Sequence, residues 1–442
     1  MALAFGLRLA WGLAAGVQPE VGIDDARWYH QSALDLARGR GYVSPFTGAP
    51  TAAWPPGYPL LLAAGYRLAG ATPATVVVLN AAFGALTCAF VWSLGKRFGG
   101  RRVGLVAAAL LACFPSHVFF AALALSETTF TCLVTGLVLA AIRLLDRDAG
   151  GAPGAWVAWG IGAGIAALVR AEAALLVVVP ALACVSLGRG RTGLRVLVAA
   201  LGGLALALAP WTLRNAHVFG TFVPTSTGFG RTLWIGHNPI ATGGMSDAIQ
   251  EAMAREIAAA ASLPSGPAYE VAVDRLLRDR ALDFARANPG RELALTLARF
   301  YHLFRGDHVW QAWYEPGTPR PFASDAARRA LGRFGNAYYL VVGVLALLGW
   351  WRRPVPRDPG WRVVAALAVV WIAIFSTIYG DPRFHHLLVP PACLLAASWL
   401  AGTRVGRRRR AAAQRRDDAA AGASSVTRAA TRVAMKRWPA TV

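Results

Sequence analysis

The sequence predicts an all-α polytopic membrane protein with about ten transmembrane helices. Long apolar runs recur along its 442 residues, and 56% of all residues are apolar, against about 45–50% in a typical soluble domain. The 16 tryptophans suit the two membrane interfaces, where an indole ring is half wet. The basic residues between the apolar runs also alternate from one short link to the next, which is typical of a multi-pass protein.

Ten apolar runs approach the roughly 20 residues that a transmembrane helix needs. The first is short and contains Arg8. It could be a signal peptide, but it lacks a basic start and a clear A-x-A site, and a span is needed there to reverse the chain before the first outer loop. The predicted spans are 2–17, 75–94, 103–120, 126–142, 155–169, 172–187, 194–210, 336–351, 362–379 and 387–402.

The short links between these spans predict the orientation of the chain. Alternate links contain only Arg170 and Arg383, whereas the other four contain thirteen basic residues: Lys96, Arg97, Arg101, Arg102, Arg143, Arg147, Arg189, Arg191, Arg195, Arg352, Arg353, Arg357 and Arg362. Short loops rich in Lys and Arg remain in the cytoplasm. We therefore expect a protein of the inner (plasma) membrane with both termini in the cytoplasm. The loops 18–74 and 211–335 should lie outside.

Four regions follow from this pattern. They are an N-terminal transmembrane module (1–210) that includes the first outer loop (18–74), a large helical outer loop (211–335), C-terminal transmembrane helices (336–402), and a basic tail (403–442). Helical patterns occupy 24–38 in the first loop and 247–262, 268–287 and 292–304 in the second, and the apolar stretch 59–68 fits the membrane interface.

The formal net charge of +22 might suggest a nucleic-acid partner, but the sequence contains no nucleic-acid-binding motif. The basic cytoplasmic links, and a tail attracted to anionic membrane lipids, account for the charge. The five cysteines lie inside apolar runs without CxxC spacing, so we interpret them as packing residues.

A small set of polar residues outside the basic links falls at the predicted outer ends of spans or beside them. We expect these residues to converge on one site at the outer membrane surface: Asp24, Asp25, Glu127, Arg170, Glu172, Arg214, Asn215, Asp381 and Arg383.

Two adjacent carboxylates, Asp24 and Asp25, follow directly after the first span. Asp suits the N-cap and the first turn of a helix, so one or both could be structural. The alternative is a general base that deprotonates an acceptor hydroxyl or holds an amine.

Arg170, Arg214 and Arg383 are candidate ligands for a lipid-linked phosphate, because a guanidinium donates two parallel hydrogen bonds to such a group. Each could instead extend toward the lipid headgroups. Glu127 and Glu172 could belong to the site or to an internal ion pair. The adjacent His385 and His386 lack an HxxxH or HExxH spacing, so no metal site is predicted.

The sequence contains no P-loop motif (GxxxxGK[ST]), and no dinucleotide-binding motif (GxGxxG) lies between a strand and a helix. A transferase that acts outside the cytoplasm meets little nucleotide sugar. It requires a donor carried across the membrane, such as a polyprenyl-phosphate sugar, and no cofactor is expected.

The first outer loop resembles that of C-type membrane glycosyltransferases, most closely the bacterial relatives of protein O-mannosyltransferases and aminoarabinose transferases. The resemblance rests on Asp25-Ala26, Tyr29-His30, Ala33, Leu36, Gly39 and Gly41-Tyr42, followed by Trp54-Pro55-Pro56-Gly57-Tyr58-Pro59. Shorter motifs follow in the expected order: Ser126-Glu127, Arg170-Ala171-Glu172, Pro210-Trp211, Arg214-Asn215, and Tyr379 with Arg383.

The resemblance implies a polyprenyl-phosphate sugar donor, transfer with inversion, and an acceptor glycan, lipid or protein reached from outside. Counting back from Tyr29, Asp25 matches the family's catalytic position. The family usually pairs this Asp with a Glu, whereas here the neighbour is a second Asp, so Asp24 is the alternative. The expected substrate pocket consists of Tyr29, His30, Trp54, Glu127, Glu172, Asn215 and Tyr379, although the prolines beside Trp54 also suit a rigid re-entry turn.

Two other functions compete with a glycosyltransferase. A transporter or flippase of lipid-linked substrates would favour charges near the bilayer midplane and helices broken in paired halves, whereas here the charges lie at span ends. An O-antigen ligase-like enzyme would concentrate its basic residues in the large loop, without the block from Asp25 to Tyr42.

Overall fold

The computed structural model describes residues 1–16, 24–147, 152–260, 263–264, 266–308, 324–352 and 358–401, with only the backbone of Asp24. This part of the chain is helical, without a β-strand. The α-helices, numbered α1 to α17 in chain order, are Ala2–Ala15, Asp24–Ala37, Gly57–Ala69, Pro73–Gly99, Arg101–Ala112, Pro115–Phe119, Glu127–Arg147, Pro153–Val169, Val178–Val185, Gly190–Phe219, Phe229–Gly236, Asp247–Ala258, Pro267–Ala287, Pro289–Phe304, Asp325–Trp351, Pro359–Thr377 and Val389–Leu400. Three 3-10 stretches accompany them, at Phe120–Ala122, Ala171–Val177 and Pro382–Leu388.

Within the described residues, five helices are long and apolar enough to cross a membrane: α4, α7, α10, α15 and α16. The segments Arg101–Ala112 and Pro115–Ala122 reach that length only together, with a bend of 62° between them. Shorter apolar helices occur at Ala2–Ala15, Pro153–Val169 and Ala171–Val185. The chain is thus an all-α polytopic membrane protein, as the sequence predicts, and a helical segment lies at each of the ten predicted spans.

The bend between α5 and α6 depends on Pro115 and the buried Arg8. A proline has no backbone N–H to donate to the carbonyl four residues earlier. For Pro115, that carbonyl belongs to Leu111. Arg8 Nη2 donates to Leu111 O at 3.2 Å, and Nη1 donates to Ala112 O at 3.2 Å. Gly84 leaves room for this guanidinium, because a Cβ there would overlap Arg8 Nε. Arg8 thus supplies donors to carbonyls at the end of a broken helix.

The two ends of the helix bundle differ in chemistry. Arg97, at the end of α4, donates to Asp146 at 2.6 Å and to Asp358 at 3.1 Å. Asp146 lies in the last turn of α7, whose first residue is Glu127. A 21-residue helix is about 30 Å long, so the Arg97 cluster and Glu127 lie at opposite ends of the bundle.

The boundaries of the large loop differ from the prediction. The helix α10 continues past Pro210 to Phe219 and ends at Gly220, whose φ of 64° is left-handed, so Arg214 and Asn215 are helical. At the other end, α15 begins at Asp325 rather than at 336. The predicted amphipathic helices correspond to α12, α13 and α14. The predicted tail 403–442 lies outside the described residues.

Orientation can be tested with single cysteines, introduced after Cys113 is replaced by Ala because it is the exposed one among the described cysteines. Thr47→Cys and Glu251→Cys lie at exposed positions in the two loops predicted to be outside, and Arg102→Cys lies in a basic link. We expect an impermeant maleimide to label the first two in intact cells and the third only after lysis. The opposite pattern would invert the predicted topology.

Candidate functional site

The helix α2, in the first loop predicted to be outside, is held in place by aromatic contacts. Three consecutive residues each contact one aromatic ring of the segment 54–66: Trp28 and Trp54 with ring centroids 4.3 Å apart, Tyr29 and Tyr58 at 5.1 Å, and His30 Nδ1 with Tyr66 Oη at 2.8 Å. Tyr29, His30 and Trp54 therefore fix the helix whose first turn contains Asp25.

Asp25 is joined to the far end of the chain. Arg383 Nη1 donates to Asp25 Oδ2 at 2.7 Å, and the two side chains are only 14% and 17% exposed. Asp381 accepts the Arg383 backbone N–H at 2.9 Å and so caps the 3-10 stretch Pro382–Leu388. Tyr379 lies beside the same guanidinium. The helix α2 and the start of the last apolar segment thus meet at an ion pair.

A second arginine lies next to this pair. Arg170 ends α8 in an extended conformation, and its guanidinium contacts Glu127 at 2.9 Å and Glu172 at 3.3 Å. Arg383 Nη1 is 3.9 Å from the same Glu127 oxygen. Both guanidinium groups also lie over the Phe384 ring, at 5.5 and 5.2 Å. Glu127 therefore lies between two cations that would otherwise repel each other.

Most of these residues border a small cleft. Glu127, Arg170 and Arg383 form its charged part, and Phe130, Trp371 and Leu387 are among its apolar lining. The cleft thus combines anion-binding donors with an apolar wall, which is the chemistry of an amphipathic ligand.

Tyr29 approaches the charged groups from α2. Its burial, together with the negative charges of Asp25 and Glu127, raises its pKa above the ordinary value, although Arg170 opposes this shift. The phenol therefore remains protonated over the physiological range and can donate a hydrogen bond, with the Ser126 hydroxyl as a neighbour.

Arg214 and Asn215 are not brought to this cleft. Arg214 donates to the carbonyl of Thr51 at 2.8 Å and to that of Tyr42 at 3.1 Å. Asn215 accepts from Arg214 at 3.0 Å and donates to Val223 O at 3.0 Å. The expected grouping of three arginines is thus reduced to Arg170 and Arg383, because the third guanidinium binds backbone carbonyls of the first loop.

Glu270 in α13 binds the same loop from the other side. It accepts from the Thr51 hydroxyl at 2.8 Å, from the Ala52 N–H at 2.9 Å and from the Thr227 hydroxyl. Arg214 and Glu270 together attach the loop between α2 and α3 to both α10 and the large loop.

The predictions for the remaining polar residues have different outcomes. The side chain of Asp24 lies outside what the structure describes. His385 bonds to Asp307 at 3.0 Å and to Leu303 O at 2.9 Å, whereas His386 lines the cleft. In the sequence, His386 was weighed only as a metal ligand and Trp371 was not predicted, since an isolated residue in an apolar run gives no signal of what it faces.

Comparison with known proteins extends these observations. Residues 53–213 match the family model described as dolichyl-phosphate-mannose-protein mannosyltransferase. No curated protein sequence matches the chain significantly.

Among solved structures, 90% of the chain aligns with the oligosaccharyltransferase AglB of Archaeoglobus fulgidus. The TM-score is 0.53 at 15% identity for its complex with an inhibitory peptide and a dolichol-phosphate, and 0.54 at 14% identity for the apo form. The alignments cover 50% and 49% of the AglB chain, so this chain spans about half of its length. ArnT of Cupriavidus metallidurans, bound to undecaprenyl phosphate, aligns over 90% of this chain and 77% of its own at 15% identity and a TM-score of 0.44. The chain thus shares its fold with the AglB structure.

The attachment of the first loop predicts a stability effect at Glu270. Glu270→Gln removes the charge that three donors share, and a hydrogen bond to a charged group contributes about 1.5–3 kcal/mol. We expect a loss of about 1–3 kcal/mol in the free energy of unfolding, seen as a lower midpoint of thermal unfolding in detergent. Glu251→Gln is the matched control, because its side chain is 70% exposed. Equal midpoints for the two variants would contradict the anchoring role.

Proposed function

We propose that this chain transfers a sugar from a polyprenyl-phosphate donor to a glycan, lipid or protein acceptor outside the cytoplasm. The observation that carries the proposal is that Glu127, Arg170 and Arg383 line one cleft, while Asp25 forms an ion pair with Arg383. They come from four separate elements of the chain, and each has a place in this reaction.

Arg170 and Arg383 bind the donor's phosphate in this proposal. An arginine fork matches the geometry of phosphate oxygens. The apolar lining, which includes Phe130 and Leu387, suits the lipid part of the donor. A polyprenyl-phosphate sugar presents both chemistries together.

Asp25 acts as the base. The acceptor oxygen or nitrogen attacks the anomeric carbon of the sugar while the bond from that carbon to the phosphate oxygen breaks. The phosphate leaves with the bonding electrons, and the acceptor's proton passes to the Asp25 carboxylate. The departing phosphate gains negative charge, which the two guanidinium groups stabilise.

The ion pair between Asp25 and Arg383 implies that the donor binds before Asp25 can act as the base. A phosphate that binds Arg383 competes with Asp25 for the guanidinium. Donor binding therefore frees the carboxylate to meet the acceptor, and the base becomes available only when a sugar is present.

The large outer loop supports an acceptor-binding role for this side of the protein. Arg299 of α14 is almost fully buried and donates to Gly236 O at 2.8 Å and to Thr377 O at 3.3 Å. Thr377 precedes the turn that contains Tyr379 and leads to Arg383. The loop is thus fastened beside the cleft, where it can shape the entrance for an acceptor.

The fold comparisons agree with this chemistry in general terms. The AglB structure contains a dolichol-phosphate and an inhibitory peptide, which represent a lipid phosphate and an acceptor. We place the reaction outside the inner membrane because Asp25 lies in a loop predicted to be outside.

Asp25→Asn tests the base. The amide retains the shape and one acceptor oxygen but cannot take the proton, and loss of a general base costs about 10²–10⁴ in rate. We expect such a fall in the release of undecaprenyl phosphate from undecaprenyl-phosphate hexoses or pentoses incubated with purified protein and a cell-envelope extract. Asp279→Asn, at an exposed site, should retain wild-type turnover. Full activity of Asp25→Asn would restrict this residue to capping α2.

Arg383→Lys tests the phosphate ligand. Lysine retains the charge but offers no planar fork, so we expect most of the turnover to be lost in the same assay while expression and membrane insertion persist. Asp381→Asn should have a milder effect, since Asp381 caps the 3-10 stretch that contains Arg383 and does not bind the phosphate in this proposal. Near-normal turnover of Arg383→Lys would indicate a general electrostatic role and contradict bidentate binding.

A further inference from the structure

His386 is a buried polar side chain in the cleft that the proposed reaction has not used. The residue is 3% exposed, and it lines the cleft together with Glu127, Arg170 and Arg383. Its Nε2 atom is buried and has no hydrogen-bond partner among the described residues. Most buried polar groups in proteins are hydrogen-bonded, so an unpaired ring nitrogen at a cleft marks a place for a ligand.

The ring of His386 is held in a fixed orientation. It stacks on His117 with centroids 3.5 Å apart and planes inclined by 11°, and it contacts Phe120 at 4.8 Å. His117 Nε2 lies 3.2 Å from the backbone oxygen of His386 and so binds the same residue a second time. The free nitrogen is therefore presented by a rigid support rather than by a mobile side chain.

The neighbouring histidine shows that burial alone does not leave a nitrogen unpaired here. Both ring nitrogens of His385 have partners, Leu303 O at 2.9 Å and Asp307 Oδ1 at 3.0 Å. The protein thus provides partners for both ring nitrogens of one histidine, whereas Nε2 of the next one, which lines the cleft, has none among the described residues.

We infer that His386 Nε2 donates a hydrogen bond to a phosphate oxygen of the lipid-linked donor, beside Arg170 and Arg383. This inference rests on the proposed function. A neutral imidazole with its proton on Nε2 is a single donor, and the guanidinium groups of Arg170 and Arg383, which attract an anion, line the same cleft. The phosphate is a diester before transfer and a monoester afterwards, so its negative charge increases and the contact becomes stronger as the sugar leaves.

The contact predicts a specific pattern in lipid binding. His386→Phe keeps a flat ring for the stack on His117 but removes the donor. We expect the affinity of the purified full chain for undecaprenyl phosphate to fall roughly 10- to 100-fold, the range of a hydrogen bond to a charged group. The affinity for undecaprenol, which has no phosphate, should remain unchanged. His386→Gln can place an amide N–H near the position of Nε2, so it should recover part of the loss.

His117→Phe is the control for packing, because His117 supports the ring but does not line the cleft. It should bind undecaprenyl phosphate like the wild type. An equal loss in His117→Phe, or an equal loss of undecaprenol binding in His386→Phe, would show that packing matters and not the contact. If His386→Phe does not fold, His386→Leu removes the same donor.

The sugar is the other group that could meet Nε2. A variant that loses affinity for an undecaprenyl-phosphate hexose but not for undecaprenyl phosphate would assign the contact to a sugar hydroxyl and overturn the inference. So would unchanged binding of undecaprenyl phosphate by His386→Phe, which would leave the proposed function intact. A wild-type chain that binds undecaprenyl phosphate no better than undecaprenol would instead refute the proposed function itself.

Discussion

The ion pair between Asp25 and Arg383 connects two segments that lie 358 residues apart. Burying an unpaired charge is costly, by several kcal/mol for an ion taken out of water. Each arginine at the cleft therefore contacts a carboxylate, and Glu127 contacts both. The ion pairs join the first turn of α2 to the 3-10 stretch before the last helix, and the start of α7 to the end of α8.

The same requirement makes the site ready for an anion. Removing a carboxylate from Arg383 leaves a buried cation, and a phosphate is the group that replaces it with the least electrostatic cost. In the proposed reaction, the resting ion pair thus holds the phosphate ligand and the base in inactive contact until a donor separates them. The aromatic contacts of Trp28, Tyr29 and His30 keep α2 in place during this exchange.

Hydropathy and the basic links were sufficient to predict the helical class and the positions of the apolar segments. Hydrophobic length is a local property that the order of residues contains directly. The end of α10 was harder to predict from the sequence. The polar run after Pro210 is typical of a loop, yet the helix continues to Phe219. Apolar composition also could not show that residues 101–122 form a bent pair, which depends on Arg8 from another helix.

The composition of the candidate site was partly predictable for a similar reason. The sequence predicted a common site for Asp25, Glu127, Arg170 and Arg383, because each lies at or beside the predicted outer end of a span. Arg214 met the same criterion, yet it binds the carbonyls of Thr51 and Tyr42. These carbonyls reach Arg214 only because of the path that the first loop takes in the fold, and that path cannot be predicted from the local sequence pattern. His386 was overlooked as a cleft residue because adjacent histidines have no spacing that distinguishes a bonded ring from a free one.

An experimental structure of the full chain with undecaprenyl phosphate would test the central claim most directly. We expect the phosphate within hydrogen-bonding distance of both Arg170 and Arg383, with Asp25 separated from Arg383 and facing the cleft. A phosphate bound at Arg214, or one bound while the Asp25–Arg383 pair remains closed, would contradict the account.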